Sequence, residues 1–294
     1  MAYTICCDIG GTKINTGLVK NNRVISHHKI LTEKKKGLKR LLANIKKSIT
    51  NYQPQKARAI GLSFAGPVNN GVVLEATNFP AYIRGVNLKK ILESWYKKPV
   101  FVEHDGLCFT LSESILGAGK KYQYIIGVTI GTGIGGGFVV DKKLYRGRQN
   151  LMEMGHFQIR EGGFRCSCGH YGHFESQVCG PALSKYYRRI TGQTLKGEEI
   201  NHLALRGDKN ALAAAEVMAR YLAQALASLA NTLSPDIFIL GGGVSRFEKI
   251  IALAKKDFGQ EVIYARHKTI KIVKSDLEDN ALLLGADLLT NNIY

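Results

Sequence analysis

Apolar and polar positions fall into two similar blocks along this chain. Tyr3–Ile9 is a nearly continuous apolar run, the mark of a buried strand, and Ile14–Lys20 resumes the pattern after a glycine turn. Asn21-Asn22 supplies turn chemistry that tolerates positive φ, and Arg23–Ile30 completes a meander. Leu38, Leu41, Leu42, Ile45 and Ile49 then recur at helical spacing, with lysines on the other face. Ala57–Phe64 and Gly71–Thr77 read as strands. Asn87 can cap a helix bearing Leu88, Ile91, Leu92 and Trp95, which Pro99 stops. Pro99–His104 is a further strand, and Leu107, Leu111 and Ile115 follow it at helical spacing.

The second block begins in the same way. Tyr124–Ile130 is a strand, Gly131–Gly137 a glycine turn, Phe138–Val140 a returning strand and Lys142-Lys143 a tight connection. A stretch rich in glycine, methionine and cysteine follows, then helices around Pro181–Ile190 and Asn210–Leu233. Asp236–Leu240 is a strand running into Gly241-Gly242-Gly243, and Glu278–Leu289 is helical. The strand–glycine turn–strand unit therefore occurs twice, as DIGGTKINTGLV and TIGTGIGGGFVV. Two α/β domains, each with a glycine turn at a strand end, would face a shared cleft suited to clamping phosphates. A chain of 294 residues suits two such domains.

Composition narrows the partners. Hydrophobic content of 45% and charged content of 22% are those of an ordinary globular protein. No apolar run approaches the roughly 20 residues of a membrane span, and no secretory signal is legible, so the cytoplasm is expected. The formal charge of +18 raises the question of nucleic acid. No arginine-rich arm or aromatic-interleaved basic platform accompanies it. It reads as a lysine-rich surface that attracts anions such as ATP, and neither a nucleic-acid nor a membrane partner is expected.

The candidate chemistry starts at the glycine turns. Polyphosphate needs backbone N–H groups brought close, which Gly10-Gly11-Thr12 and Gly131-Thr132-Gly133 offer, with a threonine hydroxyl in each. Residues 131–136 also match G-x-G-x-x-G, but a dinucleotide fingerprint must open a helix, whereas Phe138-Val139-Val140 continues as strand. Asp8 ends the strand before the first turn. There it either stabilises the turn or faces Mg²⁺ held between carboxylate and phosphate. Asp105, at the end of Val102-Glu103-His104-Asp105-Gly106, is placed either as a helix N-cap or as a base for a sugar hydroxyl. Cys166 and Cys168 are the clustered pair among six cysteines, and in a reducing compartment such a pair points to metal.

In order, DIGGTK, GPV, N-F-P, E-x-D, TIGTGIGGG, E-x-G-H, C-x-C-G-x-x-G-x-x-E and LGGG resemble the ROK family of sugar kinases from end to end. The resemblance implies an actin/hexokinase-like fold, made of two ribonuclease H-like α/β domains around an interdomain cleft. Residues 1–108 with 278–294 would form the smaller domain, and 109–277 the larger one with a zinc-binding loop. It implies ATP-dependent phosphorylation of a hexose or N-acetylhexosamine, with O6 as the expected acceptor and Asp105 as catalytic base. Gly66, Asn78, His104, Glu153, His156 and Glu175 would contact the sugar together with Asp105. Asp8, Gly10, Gly11, Thr12, Lys13, Gly131, Thr132 and Gly133 would serve MgATP, and Gly241, Gly242 and Gly243 would pack under the adenosine. His156, Cys166, Cys168 and His173 correspond to the ligands of a structural zinc, with His170 as a rival. A homodimer is the assembly implied.

Two departures mark this chain. His173 stands where the family has cysteine, and His104 where it usually has asparagine. The second bears on which sugar is preferred, since histidine is bulkier and can carry charge. The alternative implied by the family is a non-catalytic sugar-sensing regulator. Such members carry a DNA-binding module ahead of the core, for which a first strand starting at Tyr3 leaves no room.

Overall fold

The computed structural model describes residues 3–74, 79–148, 150 and 152–291. The first sheet is built from β1 (Thr4–Ile9), β2 (Lys13–Lys20), β3 (Arg23–Leu31), β4 (Ala59–Phe64) and β7 (Val100–His104), with the small hairpin β5 (Val68–Asn69) and β6 (Val72–Val73) beside them in sequence. Its strand order is β3-β2-β1-β4-β7. The β1–β2–β3 meander is antiparallel, and β4 and β7 then add in parallel. The second sheet comprises β8 (Tyr124–Ile130), β9 (Ile134–Val140), β10 (Lys143–Leu144), β11 (Ile237–Gly241) and β12 (Lys271–Lys274), in the order β10-β9-β8-β11-β12. Here too β11 and β12 join β8 in parallel. The duplicated glycine device of the sequence is thus the first hairpin of each of two sheets with the same order.

The chain separates into two compact units, one of residues 1–120, 137–152 and 276–294, the other of residues 121–136 and 153–275. In the first unit α1 (Leu38–Thr50) and α2 (Leu88–Tyr96) cover one face of the sheet. Leu41, Ile45 and Ile49 of α1 and Leu88 and Leu92 of α2 pack with Ile5, Cys7, Ile9, Ile60, Leu62 and Phe64. Asn87 caps α2 as its sequence position predicts, its side chain accepting from the Lys90 amide at 2.9 Å. The opposite face takes α3 (Asp105–Leu116) and the C-terminal α9 (Ala281–Leu289), whose Leu283, Leu284 and Ala286 pack on Cys6 and Val19. α3 runs unbroken through residue 108, where the sequence reading placed a domain boundary, and it packs along α9.

In the second unit the 25-residue α7 (Lys209–Leu233) is the central helix. Its buried alanines, among them Ala214, Ala215, Ala219, Ala223 and Ala227, let α4 (Phe174–Val178), α5 (Gly180–Thr191), α6 (Gly197–Leu205) and α8 (Glu248–Glu261) approach closely. α4, α6, α8 and β12 have no counterpart in the sequence reading. No helix among the described residues is long and apolar enough to cross a membrane.

Three expectations are corrected in detail. The strand expected over 71–77 is the short β6, and residues 75–77 lie outside the described residues. The second glycine turn ends at Gly133, and β9 already begins at Ile134. A Cβ on Gly136 would lie 2.4 Å from both the Gly127 carbonyl and Met154 Sδ, so a glycine there serves strand packing and not a loop. The turn after β9 is Asp141-Lys142, both left-handed at φ 51° and 64°, rather than Lys142-Lys143.

That turn aims Lys142 at the far end of α3. Its Nζ donates to the carbonyls of Ser114 at 2.8 Å and of Gly119 and Lys120 at 2.9 Å. The last carbonyls of a helix need donors, and one ammonium supplies three bonds here. Lys142→Met keeps the stem and removes the donors. Urea unfolding should show a loss of roughly 2 kcal/mol, and an unchanged midpoint would show that water replaces the ammonium without cost.

Candidate active site

Parallel pairing sets the first half of the site. Asp8 of β1 is in register with Ser63 of β4, and Ser63 with Glu103 of β7. Three polar side chains therefore line the ends of adjacent strands, and Asp105 follows two residues beyond Glu103, as the first residue of α3. Ser63 Oγ donates to Asp8 Oδ1 at 2.9 Å. Burial, and next the Asp105 carboxylate, push Asp8 up to about 7, with the Ser63 bond and Lys29 opposing. An acid whose charge is disfavoured by burial and by a second carboxylate nearby, at the end of a sheet, is a fitting place for a dication.

The first glycine turn closes β1 onto β2. The Gly10 amide donates to the Lys13 carbonyl at 3.0 Å, and Thr32, just past β3, clamps the turn, its hydroxyl donating to the Gly10 carbonyl at 2.6 Å. With the Gly10 amide used internally, amides for a phosphate would have to come from Gly11 and Thr12. Thr12 and Lys13 are exposed. Around Asp105, its own Oδ1 accepts from the Gly106 amide at 2.7 Å and lies 3.1 Å from His104 Nε2. Glu103 is 4% exposed and accepts from Arg146 Nε at 2.9 Å and Asn150 Nδ2 at 2.7 Å. Gly66 follows β4, with its amide donating to the Phe64 carbonyl. Asn78 lies outside the described residues.

In the second unit, the Gly131–Gly133 turn is a meeting point. The Gly131 amide donates to the Gly133 carbonyl at 2.9 Å, and the Gly180 amide at the start of α5 donates to the Gly131 carbonyl at 2.8 Å. Gly242 sits at φ 79°, where a Cβ would lie 2.5 Å from the Ile130 carbonyl. Only glycine allows that approach, and it sets Gly241–Gly243 against the strand that ends in the turn. Glu175 joins the same point from α4, its Oε2 accepting from the Ile134 amide at 3.0 Å. Gly180 and Ser63 were missed by sequence reasoning. Gly180-Pro181, a helix-opening pair, could have signalled the first, whereas only the strand register reveals the second.

Glu175 also reaches the cysteine loop, where its Oε1 accepts from Ser167 Oγ at 2.9 Å and from Cys166 Sγ at 3.5 Å. His156, Cys166, Cys168 and His173 each offer one ligand atom, and these lie within 4.8 Å of one another. His156 Nδ1 is 3.5 Å from Cys166 Sγ, and His173 Nδ1 is 3.2 Å from Cys168 Sγ. The His170 ring stacks on His173 with centroids 5.5 Å apart and stays outside this group of four. Two imidazoles and two thiols converging this way fit a tetrahedral ion. Burial pushes the Cys166 thiol up to about 11, a cost that a bound dication would offset. Glu153 precedes the short turn of Met154–His156 and accepts from the His156 amide through its carbonyl at 3.0 Å.

Two sheets of the same mixed order, each opening on a glycine hairpin with an acid behind the first, define an α/β protein of the actin/hexokinase-like class. The ROK family model matches residues 4–293, and the chain belongs to that family. It is 30% identical to a glucokinase of Thermotoga maritima, over 95% of this chain and 94% of the relative. It is 29% identical to an N-acetyl-D-glucosamine kinase of Yersinia enterocolitica, over 87% and 89%. Among solved structures, a ROK family glucokinase from Streptomyces griseus, in complex with glucose and AMPPNP, superposes with a TM-score of 0.86. It shares 30% identity, over 98% of this chain and 99% of that one.

The raised pKa of Asp8 has a direction that can be measured without substrate. Its folded value of about 7 lies above the value near 4 expected of an unfolded chain, so the native state keeps a proton that the unfolded chain releases. Stability contributed by this group therefore falls as pH rises from about 4 to about 7, and is level above that. In EDTA, Asp8→Asn should gain on the wild-type chain by on the order of 3 kcal/mol between those limits. Parallel urea-unfolding curves for the two proteins across that range would refute the burial of the charge.

Proposed function

We propose that this chain is an ATP-dependent sugar kinase that transfers the γ-phosphoryl group of ATP to a hydroxyl, O6 by preference, of a hexose or N-acetylhexosamine. The observation that carries this reading is the register of β1, β4 and β7, which sets Asp8 at the end of β1 and Asp105 just past the end of β7, with β4 between the two strands, beside a glycine turn. The kinship with a glucokinase and an N-acetyl-D-glucosamine kinase supports the substrate class.

On this reading Asp105 accepts the hydroxyl proton as the sugar oxygen attacks the γ-phosphorus, and ADP departs with the bridging oxygen. Asp8 would hold Mg²⁺, whose charge offsets that of the phosphates when bound. Gly11, Thr12 and Lys13, and in the second unit Thr132 and Gly133, would offer amides, hydroxyls and an ammonium to phosphate oxygens. Gly241–Gly243 would lie under the adenosine. Gly66, Glu153, His156 and Glu175 would recognise sugar hydroxyls, since paired polar groups discriminate a polyol better than apolar walls. The cytoplasm is its place of work and a homodimer its assembly.

His156, Cys166, Cys168 and His173 would hold a structural Zn²⁺. With four protein ligands no position remains for a catalytic water, and the ion would brace the loop carrying His156. His156 can serve both tasks because its Nδ1 faces Cys166 and its Nε2 is a separate group. Metal analysis should find one zinc per chain, and His173→Ala should lower that content severalfold. A full zinc complement in this variant would exclude His173 as a ligand.

A coupled ADP-release screen over glucose, mannose, fructose, allose, N-acetylglucosamine and N-acetylmannosamine tests the activity. Asp105→Asn should lower kcat by about 10²–10⁴-fold with little change in sugar binding. Near-normal turnover in that variant would remove Asp105 from the mechanism, and no ADP release with any sugar would overturn the reading itself.

A further inference from the structure

The side chain at position 104 is committed to its neighbour. The His104 side chain is 9% exposed and its Nε2 lies 3.1 Å from Asp105 Oδ1, while the Asp105 side chain keeps 29% of its surface exposed. The same Oδ1 accepts the Gly106 amide at 2.7 Å. One backbone donor and an imidazole nitrogen within donating distance of the same oxygen restrict the rotation of the carboxylate and leave the other oxygen, Oδ2, as the one to receive a proton.

The strand end that carries this pair is itself fastened. Glu103, one residue back, accepts the His104 amide at 3.0 Å through Oε1, besides its bonds to Arg146 and Asn150. Asn150 Nδ2 extends the chain of contacts to the Val68 carbonyl at 2.5 Å. Glu103, buried and accepting from three donors, has few alternative rotamers, which is what a strand end carrying a precisely aimed base requires.

We infer that His104 is a positioning residue for Asp105, donating through Nε2–H to Oδ1 so that Oδ2 receives the sugar's proton. The inference rests on the kinase reading and gives His104 a different task from the sugar contact implied by the family's asparagine. In the transfer, the hydroxyl proton passes to Oδ2 as the new oxygen–phosphorus bond forms and the bond to the ADP oxygen breaks. His104 keeps its own proton throughout.

Three variants test this. His104→Phe keeps a planar ring and removes the donor, while His104→Gln and His104→Asn restore an amide N–H. His104→Phe should lower kcat by roughly 30-fold or more, leaving the sugar KM within about threefold and the ATP KM unchanged. At least one amide variant should recover part of that loss. A sugar KM raised about tenfold at intact kcat would make His104 a sugar ligand and overturn the inference. So would a lowered melting temperature with unchanged turnover per folded molecule. Nitrogen NMR of the imidazole in the wild-type chain and in Asp105→Asn gives a readout that needs no substrate. The Nε2–H tautomer, altered by Asp105→Asn, supports the pairing, and an Nδ1–H tautomer overturns it. If the wild-type chain phosphorylates no sugar, the kinase reading fails while the tautomer still decides the pairing.

Discussion

Parallel register between three strands is the constraint from which the first unit follows. β1, β4 and β7 are separated by long stretches of chain, yet one-to-one pairing brings Asp8, Ser63 and Glu103 abreast. A slip of one residue in either pairing would turn the polar ends into the α1–α2 core and that core's apolar side chains onto the α3–α9 face. The apolar faces therefore enforce the chemistry. Ile5, Cys7 and Ile9 must face α1 and α2, so Asp8 must face the other way, toward the sheet end where α3 begins. The acid is half-buried because its strand is packed, and its raised pKa follows from that packing.

The second unit solves a similar problem with close approach instead of register. Gly242 lets a turn settle against the Ile130 carbonyl, Gly180 binds the Gly131 carbonyl, and Glu175 closes the group through the Ile134 amide. Glu175 has its other oxygen on Ser167 and Cys166. One carboxylate thus links the start of β9 to the cysteine loop. Metal at the four converging ligands would act on the glycine turn through this carboxylate, which gives a structural ion a route to the site.

Much of this was legible in the sequence because the signals were local. Asn21-Asn22 announced its turn, Asn87 its cap, and the apolar runs of β1, β8 and β11 their burial. The four-ligand group was legible through the spacing of its cysteines and histidines together with a resemblance, and the structure brings those four side chains together. What escaped was non-local. Nothing near Ser63 says that it will face Asp8, since the pairing of β1 with β4 decides it. Arg146 and Asn150 lie more than forty residues from Glu103 and carry no motif. The glycines of β9 misled because Gly136, read as loop, is small to admit Met154 and the neighbouring strand. β12 went unassigned because its pairing beside β11, more than local pattern, defines it.

Helix α3 has the first residue of its 12 at Asp105, and near its other end the Ser114 carbonyl accepts from the Lys142 ammonium. A rigid rod of that length spans roughly 18 Å. Its two ends cannot relax independently, because a packed helix moves as a body against α9 and not by stretching. The hairpin at Asp141-Lys142 is thereby a mechanical anchor for the carboxylate at the other end. On the kinase reading, a substitution in this surface turn would reach the Asp105 carboxylate through the body of the helix.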